Sequence, residues 1–444
     1  MALDLALQAT AANSHLGSFA TFAAHIDPSW IEEALEATGT ATLRRRRLPA
    51  EQVIWLVLGI ALFRDRSIKQ VVENLDLALP SPQGGVAGSA IPKARARLGA
   101  EPMKWLFERS GRKWGHESAD RHRWRGLSLY GLDGSSLRLA DTEENVDTFG
   151  RFVSGGGESS NPMLRLVVLM ALRSHLLVSA SFGPYAATSE LAHAQPLLSE
   201  IPPRSLTIVD ALYLSAALLL SIEHRGESRH WMLPAKTNTK MRVVEERSAT
   251  DSTVEMVVSA DARAKDPSLP ATWLARAIRY QRAGHAPRIL LTSLLDHVAF
   301  PEDELSELYH ERWELELAYD ELKTEMLDAQ ITLRSKSPTG VQQELWGTLI
   351  GFNLIRLEME RIAAEARVAP TRISFVAALH FIRDEINWSA SSQAPGAIPK
   401  KLLRMRDLIR RFVLPPRRPK RSYPREIKND YRRYPRRKTA LGAK

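Results

Sequence analysis

Residues 205–213 read Ser-Leu-Thr-Ile-Val-Asp-Ala-Leu-Tyr, an apolar, partly β-branched run that stops at Asp210. A run this short predicts a buried strand of an α/β sheet, with the aspartate at its end. The pattern has a counterpart upstream, where residues 127–132 lead into Asp133 within Tyr-Gly-Leu-Asp-Gly-Ser-Ser. Around these two runs lie further strand candidates, 164–172 and 176–182, joined by Arg173, Ser174 and His175 in a turn, and 230–234. Helical stretches cover 189–201 and lead through Leu220. Strands mixed with crossing helices predict an α/β domain with a mixed sheet. Functional groups gather beyond strand ends in such sheets, and hard divalent cations favour carboxylate oxygens there. An aspartate is also a common turn or cap residue, so neither position decides function alone.

Outward from this centre the texture changes on both sides. Residues 1–120 read as all-helical, with Val53, Leu56, Val57, Ile60 and Ala61 at helical period after Pro49. Two basic clusters mark this part: residues 44–47, and Lys93, Arg95 and Arg97 after the turn-rich stretch 80–88, an arrangement similar to a helix-turn-helix. Between 235 and 300 alternation returns at 241–247, 253–260, 273–281 and 287–295, which predicts a small β-rich insertion. Residues 304–326, 341–364 and 373–386 carry helical apolar stripes. The expected organisation is a helical N-terminal domain (1–120), a first part of an α/β core (121–234), the insertion (235–300), a returning core helix (301–335), C-terminal helices (336–398) and a basic tail (399–444). There is no internal repeat.

The chain has 444 residues, 44% of them hydrophobic, enough to bury a sizeable core in two or three domains. Its net charge of +10 is unevenly spread: from Lys400 onward the chain carries net +15, leaving net −5 for everything before. The basicity is therefore a proline-spotted tail, read as an extended arm suited to an anionic partner. With 0 cysteines the chain has neither a disulfide framework nor a thiolate metal site nor a cysteine nucleophile. Apolar runs such as 56–63 fall short of the roughly 20 residues of a membrane span, and residues 1–14 lack a basic leader, so a soluble cytoplasmic protein is expected. The run Gly155 to Gly157 has no following Lys-Ser/Thr and no helix start, which rejects a phosphate-binding loop.

The helix 304–326 contains Leu-Tyr-His-Glu-Arg-Trp-Glu-Leu-Glu-Leu-Ala-Tyr-Asp-Glu-Leu-Lys. At about 100° per residue, Tyr309, Arg312, Glu316 and Lys323 fall within an arc of roughly 60°, beside an apolar arc of Leu308, Leu315, Tyr319, Leu322 and Met326. Burying the apolar arc would leave the polar stripe at the edge of the core, facing a cleft. One acid among three phosphate-contacting groups suits a metal site beside a polyanion. A solvated helix face remains the alternative. His310 lies off the stripe.

Together these residues resemble the DDE transposases of the bacterial insertion-element-four family. That family's third-acid helix carries Tyr, two residues, Arg, three residues, Glu, six residues, Lys, the spacing of Tyr309, Arg312, Glu316 and Lys323. Also similar are Asp133-Gly-Ser-Ser with the following 140–145 and Phe149-Gly150, and Asp210-Ala-Leu-Tyr213-Leu-Ser. The second segment departs from the family's usual form, with Leu212 in place of Gly and Tyr213-Leu214 in place of Phe-Tyr. Residues 94–99 and the Pro/Arg tail look like the family's end segments, so the likeness spans nearly the whole chain.

The resemblance implies an RNase H-like core interrupted by a β-rich insertion between Asp210 and Glu316. It implies two Mg²⁺ ions, replaceable by Mn²⁺, held by Asp133, Asp210 and Glu316, and cut-and-paste DNA transposition through nicking, hairpin formation and opening, and strand transfer. Arg312, Lys323 and Tyr309 would contact phosphates, Arg95 and Arg97 the terminal inverted repeats, and Trp273, with Trp231 as rival, a flipped base. The partners implied are double-stranded DNA and a second copy of the chain, without a membrane, in a nucleoid-associated bacterial protein. A DNA-binding regulator that has lost its chemistry, and a nuclease without strand transfer, share these residues and stay open.

Overall fold

The computed structural model describes residues 22, 25–41, 48–75, 77, 86–154, 157–281, 286–327, 332–391 and 395–415. The basic cluster 44–47, most of the turn-rich stretch, the chain start and the tail beyond 415 lie outside them. The chain divides into two units. One comprises residues up to Ser118 with Arg173–Ser179 and Glu316–Pro415; the other comprises Ala119–Leu172 and Ala180–Leu315.

The first unit is mainly helical. Helix Pro28–Ala37 starts with Pro28 at its first position and Asp27 accepting from the Ser29 amide at 2.9 Å. Helix Ala50–Leu62 is buried over nearly its whole length and packs on the 29-residue helix Pro338–Ala366. Their approach depends on Gly347, where a Cβ would stand 2.6 Å from Val57 Cγ1. Charges buried here are bonded: Glu344 accepts from Arg64 Nη1 at 2.7 Å and from the amides of Arg334 and Ser335 at 3.1 and 2.8 Å. A buried carboxylate so satisfied is tolerable, whereas losing its partner would cost about 3–5 kcal/mol.

The second unit is built on a mixed sheet. Its strands are β1 (Ser128–Leu139), β2 (Arg151–Ser154), β3 (Gly157–Ala171), β4 (Leu176–Pro184, of which 180–184 belong to this unit), β5 (Ser205–Ile208), β6 (Arg229–Pro234), β7 (Arg242–Glu246), β8 (Asp251–Val257), β9 (Thr272–Tyr280) and β10 (Arg288–Thr292). Their order is β2-β3-β1-β5-β6-β10-β9-β8-β7, with β4 on β3. Pairing is parallel at β1–β5 and β5–β6, and antiparallel at β1–β3, β6–β10, β10–β9, β9–β8 and β8–β7. Every residue of β5 is buried, as its unbroken apolar run requires.

One feature differs from the sequence reading. The first strand does not stop at Asp133 but runs six residues further, to Leu139, paired with β3 as far as Arg138 opposite Met163. Burial falls from complete over Ser128 to Leu132 to partial over Asp133 to Ser136, and Leu137 and Leu139 are buried again, so the change read in the sequence was one of cover and not of backbone. The strands of 235–300 extend this sheet: β10 pairs with β6, and β9, β8 and β7 continue it outward. A buried ion pair anchors this extension, Arg276 donating to both carboxylate oxygens of Asp251 at 2.8 and 2.6 Å and to Phe300 O at 2.6 Å.

Candidate active site

The parallel register of β1 and β5 sets Gly131 opposite Ile208. Asp133 and Asp210 each follow two residues later, so both aspartates stand level on neighbouring chain segments and, at period two, on the same face. Asp210 lies just beyond β5 and caps the turn Ala211–Tyr213, its Oδ1 accepting from the Leu212 amide at 2.6 Å. Asp133 is held mid-strand, its Oδ1 accepting from the Gly134 amide at 2.9 Å. Burial pushes the Asp133 carboxyl up to about 7; the Gly134 hydrogen bond and Arg312 oppose this, while the charges of Asp210 and Glu190 add to it.

Arg312 reaches the pair from the helical segment that follows the insertion, with Nη1 3.8 Å from Asp133 Oδ2. Its approach has a steric cause. A Cβ on Gly131 would stand 2.7 Å from Leu315 Cδ1 and 2.7 Å from Leu172 Cδ2, so the bare glycine lets Leu315 seat against β1. Asp133 is two residues along the strand from Gly131, and Arg312 three residues back along the helix from Leu315. The seating of Leu315 thus leaves Arg312 within 3.8 Å of Asp133. Tyr309, one turn earlier, is buried, and burial pushes its phenol up to about 12.

The segment's winding is not uniform: Glu302–Leu308 is α-helical, Tyr309–Arg312 is a tighter turn, Trp313–Asp320 is α-helical and Glu321–Met326 is wound as a π-helix. The constant 100° step used on the sequence therefore does not describe it. Asp133, Asp210, Tyr309 and Arg312 come together in the sheet-bearing unit, whereas Glu316, directly after Leu315, and Lys323, in the π-wound stretch, belong to the other unit and are half-buried there.

Two DNA-contact candidates are placed differently from expectation. Trp273 is buried against the fully buried Trp231, ring centroids 5.3 Å apart, so neither tryptophan presents a face for a base. Arg95 is tied down inside its own unit, donating to Gln343 Oε1 at 3.0 Å, Gly340 O at 3.2 Å and Ser335 Oγ at 3.3 Å, and burial draws its pKa down. Arg97, two residues on, is exposed. Two residues escaped the sequence reading. Trp313, beside Arg312, is 50% exposed, an unusual state for so large a ring. Glu190 accepts from Tyr213 Oη at 2.9 Å, and its only sequence signal is a position in a helix first turn after Ser189.

The donors at this site are carboxylate oxygens, the set a hard divalent cation selects, and the burial that disfavours ionised Asp133 is what a bound cation would offset. Asp133 and Asp210 thus fit such an ion as an incomplete set. Among the described residues no group of three His, Cys, Asp or Glu gathers closely enough to hold one.

Comparison with known proteins bears on this arrangement. Residues 124–354 match the family model described as the transposase DDE domain, and residues 16–108 match the insertion element 4 transposase N-terminal model. The class defined is a DDE transposase. The chain is 35% identical over 435 residues to the transposase InsG for insertion sequence element IS4 of Escherichia coli (strain K12), covering 98% of this chain and 97% of that one. It is 37% identical over 227 residues, 50% of this chain and 74% of the other, to the putative transposase InsZ of the same organism. The piggyBac transposase synaptic complex with hairpin DNA aligns over 90% of this chain and 85% of that one, with a TM-score of 0.44 at 10% identity. On the family models and the full-length likeness to InsG, the chain belongs to the IS4 family of DDE transposases.

Proposed function

We propose that the chain binds the terminal inverted repeats of an insertion sequence and moves it by cut-and-paste transposition, with Asp133, Asp210 and Glu316 as the metal-holding acids. The observation that carries this reading is that Asp133 and Asp210 each lie two residues past the last register pair, Gly131 and Ile208, with Arg312 3.8 Å from Asp133. The order β4-β3-β1-β5-β6, antiparallel at β3–β1 and parallel from β1 to β6, supports an RNase H-like core. Family membership and the Tyr309, Arg312, Glu316, Lys323 spacing support the third acid and its neighbours.

A pair of Mg²⁺ ions, with Mn²⁺ as substitute, would supply activation of the attacking oxygen and stabilisation of the leaving one. The protein's own groups do the positioning. Arg312 grips a phosphate beside the scissile bond, Lys323 a neighbouring one, and the Tyr309 hydroxyl, kept protonated by burial, donates a hydrogen bond. The reaction nicks the element's end with water, closes a hairpin by attack of the freed 3′-hydroxyl, reopens it and joins the same hydroxyl to target DNA. Trp313, exposed next to Arg312, would stack on a displaced base. Arg97 and the basic tail add DNA affinity, sequence-independent in the tail's case. Two copies act together in the DNA complex, in the bacterial cytoplasm at the nucleoid. Among the described residues no helix is long and apolar enough to cross a membrane.

The test is an end-cleavage and strand-transfer assay on DNA carrying the element's own ends, with Mg²⁺, Mn²⁺ or chelator. Cleavage without joining would favour a nuclease, and end binding without cleavage a regulator; either result would overturn the proposal.

A further inference from the structure

Glu190 sits at the start of helix Glu190–Leu197 and is half-buried between the two aspartate-bearing segments. On one side its Oε1 accepts from the Tyr213 hydroxyl at 2.9 Å; Tyr213 is itself fully buried, three residues after Asp210 in the turn that Asp210 caps. On the other side its carboxyl lies over Gly134, where a Cβ would fall 2.4 Å from Glu190 Cδ. Any side chain at position 134 would require the Glu190 carboxyl to move. Arg165 on β3 stands 3.6 Å from Glu190 Oε2 and supplies the compensating charge. The helix is pinned so that Glu190 cannot drift: Ser189 caps it, and buried His193, one turn on, pairs its Nδ1 with Ser181 Oγ at 2.9 Å while its ring fills the space beside Gly183.

We infer that Glu190 is a positioning residue for the transposase site, tying the Asp210 turn, through Tyr213, to the strand carrying Asp133, through Gly134. This inference rests on the assignment of Asp133 and Asp210 as metal-holding acids. Its content is geometric: the carboxyl is spent on the tyrosine hydroxyl and the arginine, so it orients the two aspartates and does not itself ligate. Groups one step removed from metal ligands commonly change metal affinity by about 10–100-fold when lost.

The test uses the full chain with Glu190→Gln, Glu190→Ala, Tyr213→Phe and the Glu190→Ala/Tyr213→Phe double variant. Hydrogen exchange in the metal-free protein reads the Leu212 and Tyr213 amides, and calorimetry of the DNA complex reads Mn²⁺ affinity. Glu190→Ala and Tyr213→Phe are each expected to speed exchange and weaken Mn²⁺ binding about tenfold, with the double variant no worse, because both break one link. Glu190→Gln still presents an oxygen to Tyr213 and should stay near wild type in both. Equal damage in Glu190→Gln and Glu190→Ala would mean that the charge, and not the hydrogen-bonded link to Tyr213, is what acts, and multiplying losses in the double variant would mean that no shared link exists; either overturns the inference. Asp133→Asn and Asp210→Asn separate the two levels. If they abolish Mn²⁺ binding while Glu190→Ala leaves it unchanged, the inference alone fails; if they too leave it unchanged, the site assignment fails and takes the inference with it.

Discussion

Leu315 occupies the space that Gly131 leaves empty: a Cβ on that glycine would fall 2.7 Å from Leu315 Cδ1. This contact seats the arginine-bearing helix on the strand carrying Asp133. Gly131→Ala should therefore cost about 1–3 kcal/mol of stability, the range for overpacking a buried site, and should lower cleavage more than it lowers DNA binding. Denaturant unfolding and matched binding and cleavage assays check this.

The raised Asp133 carboxyl sets a sign for stability against pH. Its ordinary value is 3.8 and burial lifts it to about 7 in the folded chain, so the fold favours the protonated form. That contribution is complete below about pH 4 and is lost as pH rises towards 7. Without metal or DNA, Asp133→Asn should melt higher than wild type at pH 8, and the advantage should vanish at pH 4. Thermal scans at the two pH values read it; an advantage at pH 4 alone would reverse the argument.

The tryptophans should part by burial. Trp273→Ala opens a cavity beneath Trp231 and should destabilise by about 3–5 kcal/mol, whereas Trp313→Ala, at an exposed position, should change stability by no more than about 0.5 kcal/mol. Trp313→Ala should instead slow hairpin formation. Melting curves with a gel assay for hairpin ends separate the two.

Arg95 and Arg97 should part in the same way. Arg95→Ala strands acceptors on Gln343, Gly340 and Ser335 and should cost about 1–3 kcal/mol of stability. Arg97→Ala, at an exposed position, should cost less stability than Arg95→Ala and weaken binding to the element's ends, which filter binding at fixed salt would measure.

Much of this architecture was legible in the chain, for identifiable reasons. Residues 205–208 are buried on both sides, so hydrophobicity marked the strand and its aspartate. Asp133 was found but its strand was cut short, because antiparallel pairing with β3 carries the backbone on through residues 133–136, which are only partly covered. The insertion's strands were visible as alternation, yet which strand pairs with which depends on contacts distant in sequence, such as Leu291 opposite Leu233, that no local pattern encodes. The burial of Arg95 and Trp273 was hidden for a related reason: residue type suggests a DNA contact, but packing against Gln343 or Trp231 is decided elsewhere in the chain. Glu190 was silent because an acid in a helix first turn is ordinary, and its significance comes from Tyr213 and Gly134 arriving beside it.

Asp133, Asp210 and Glu316 are proposed to hold the ions needed for cleavage and joining. The most direct measurement is single-turnover end cleavage and strand transfer in saturating Mg²⁺ by Asp133→Asn, Asp210→Asn and Glu316→Gln, alongside their affinity for the same DNA. Each change removes a ligand charge while keeping shape, so all three should lose cleavage and joining to background with end binding retained. Near wild-type cleavage by any one of them, in the same metal, would contradict the assignment of that residue.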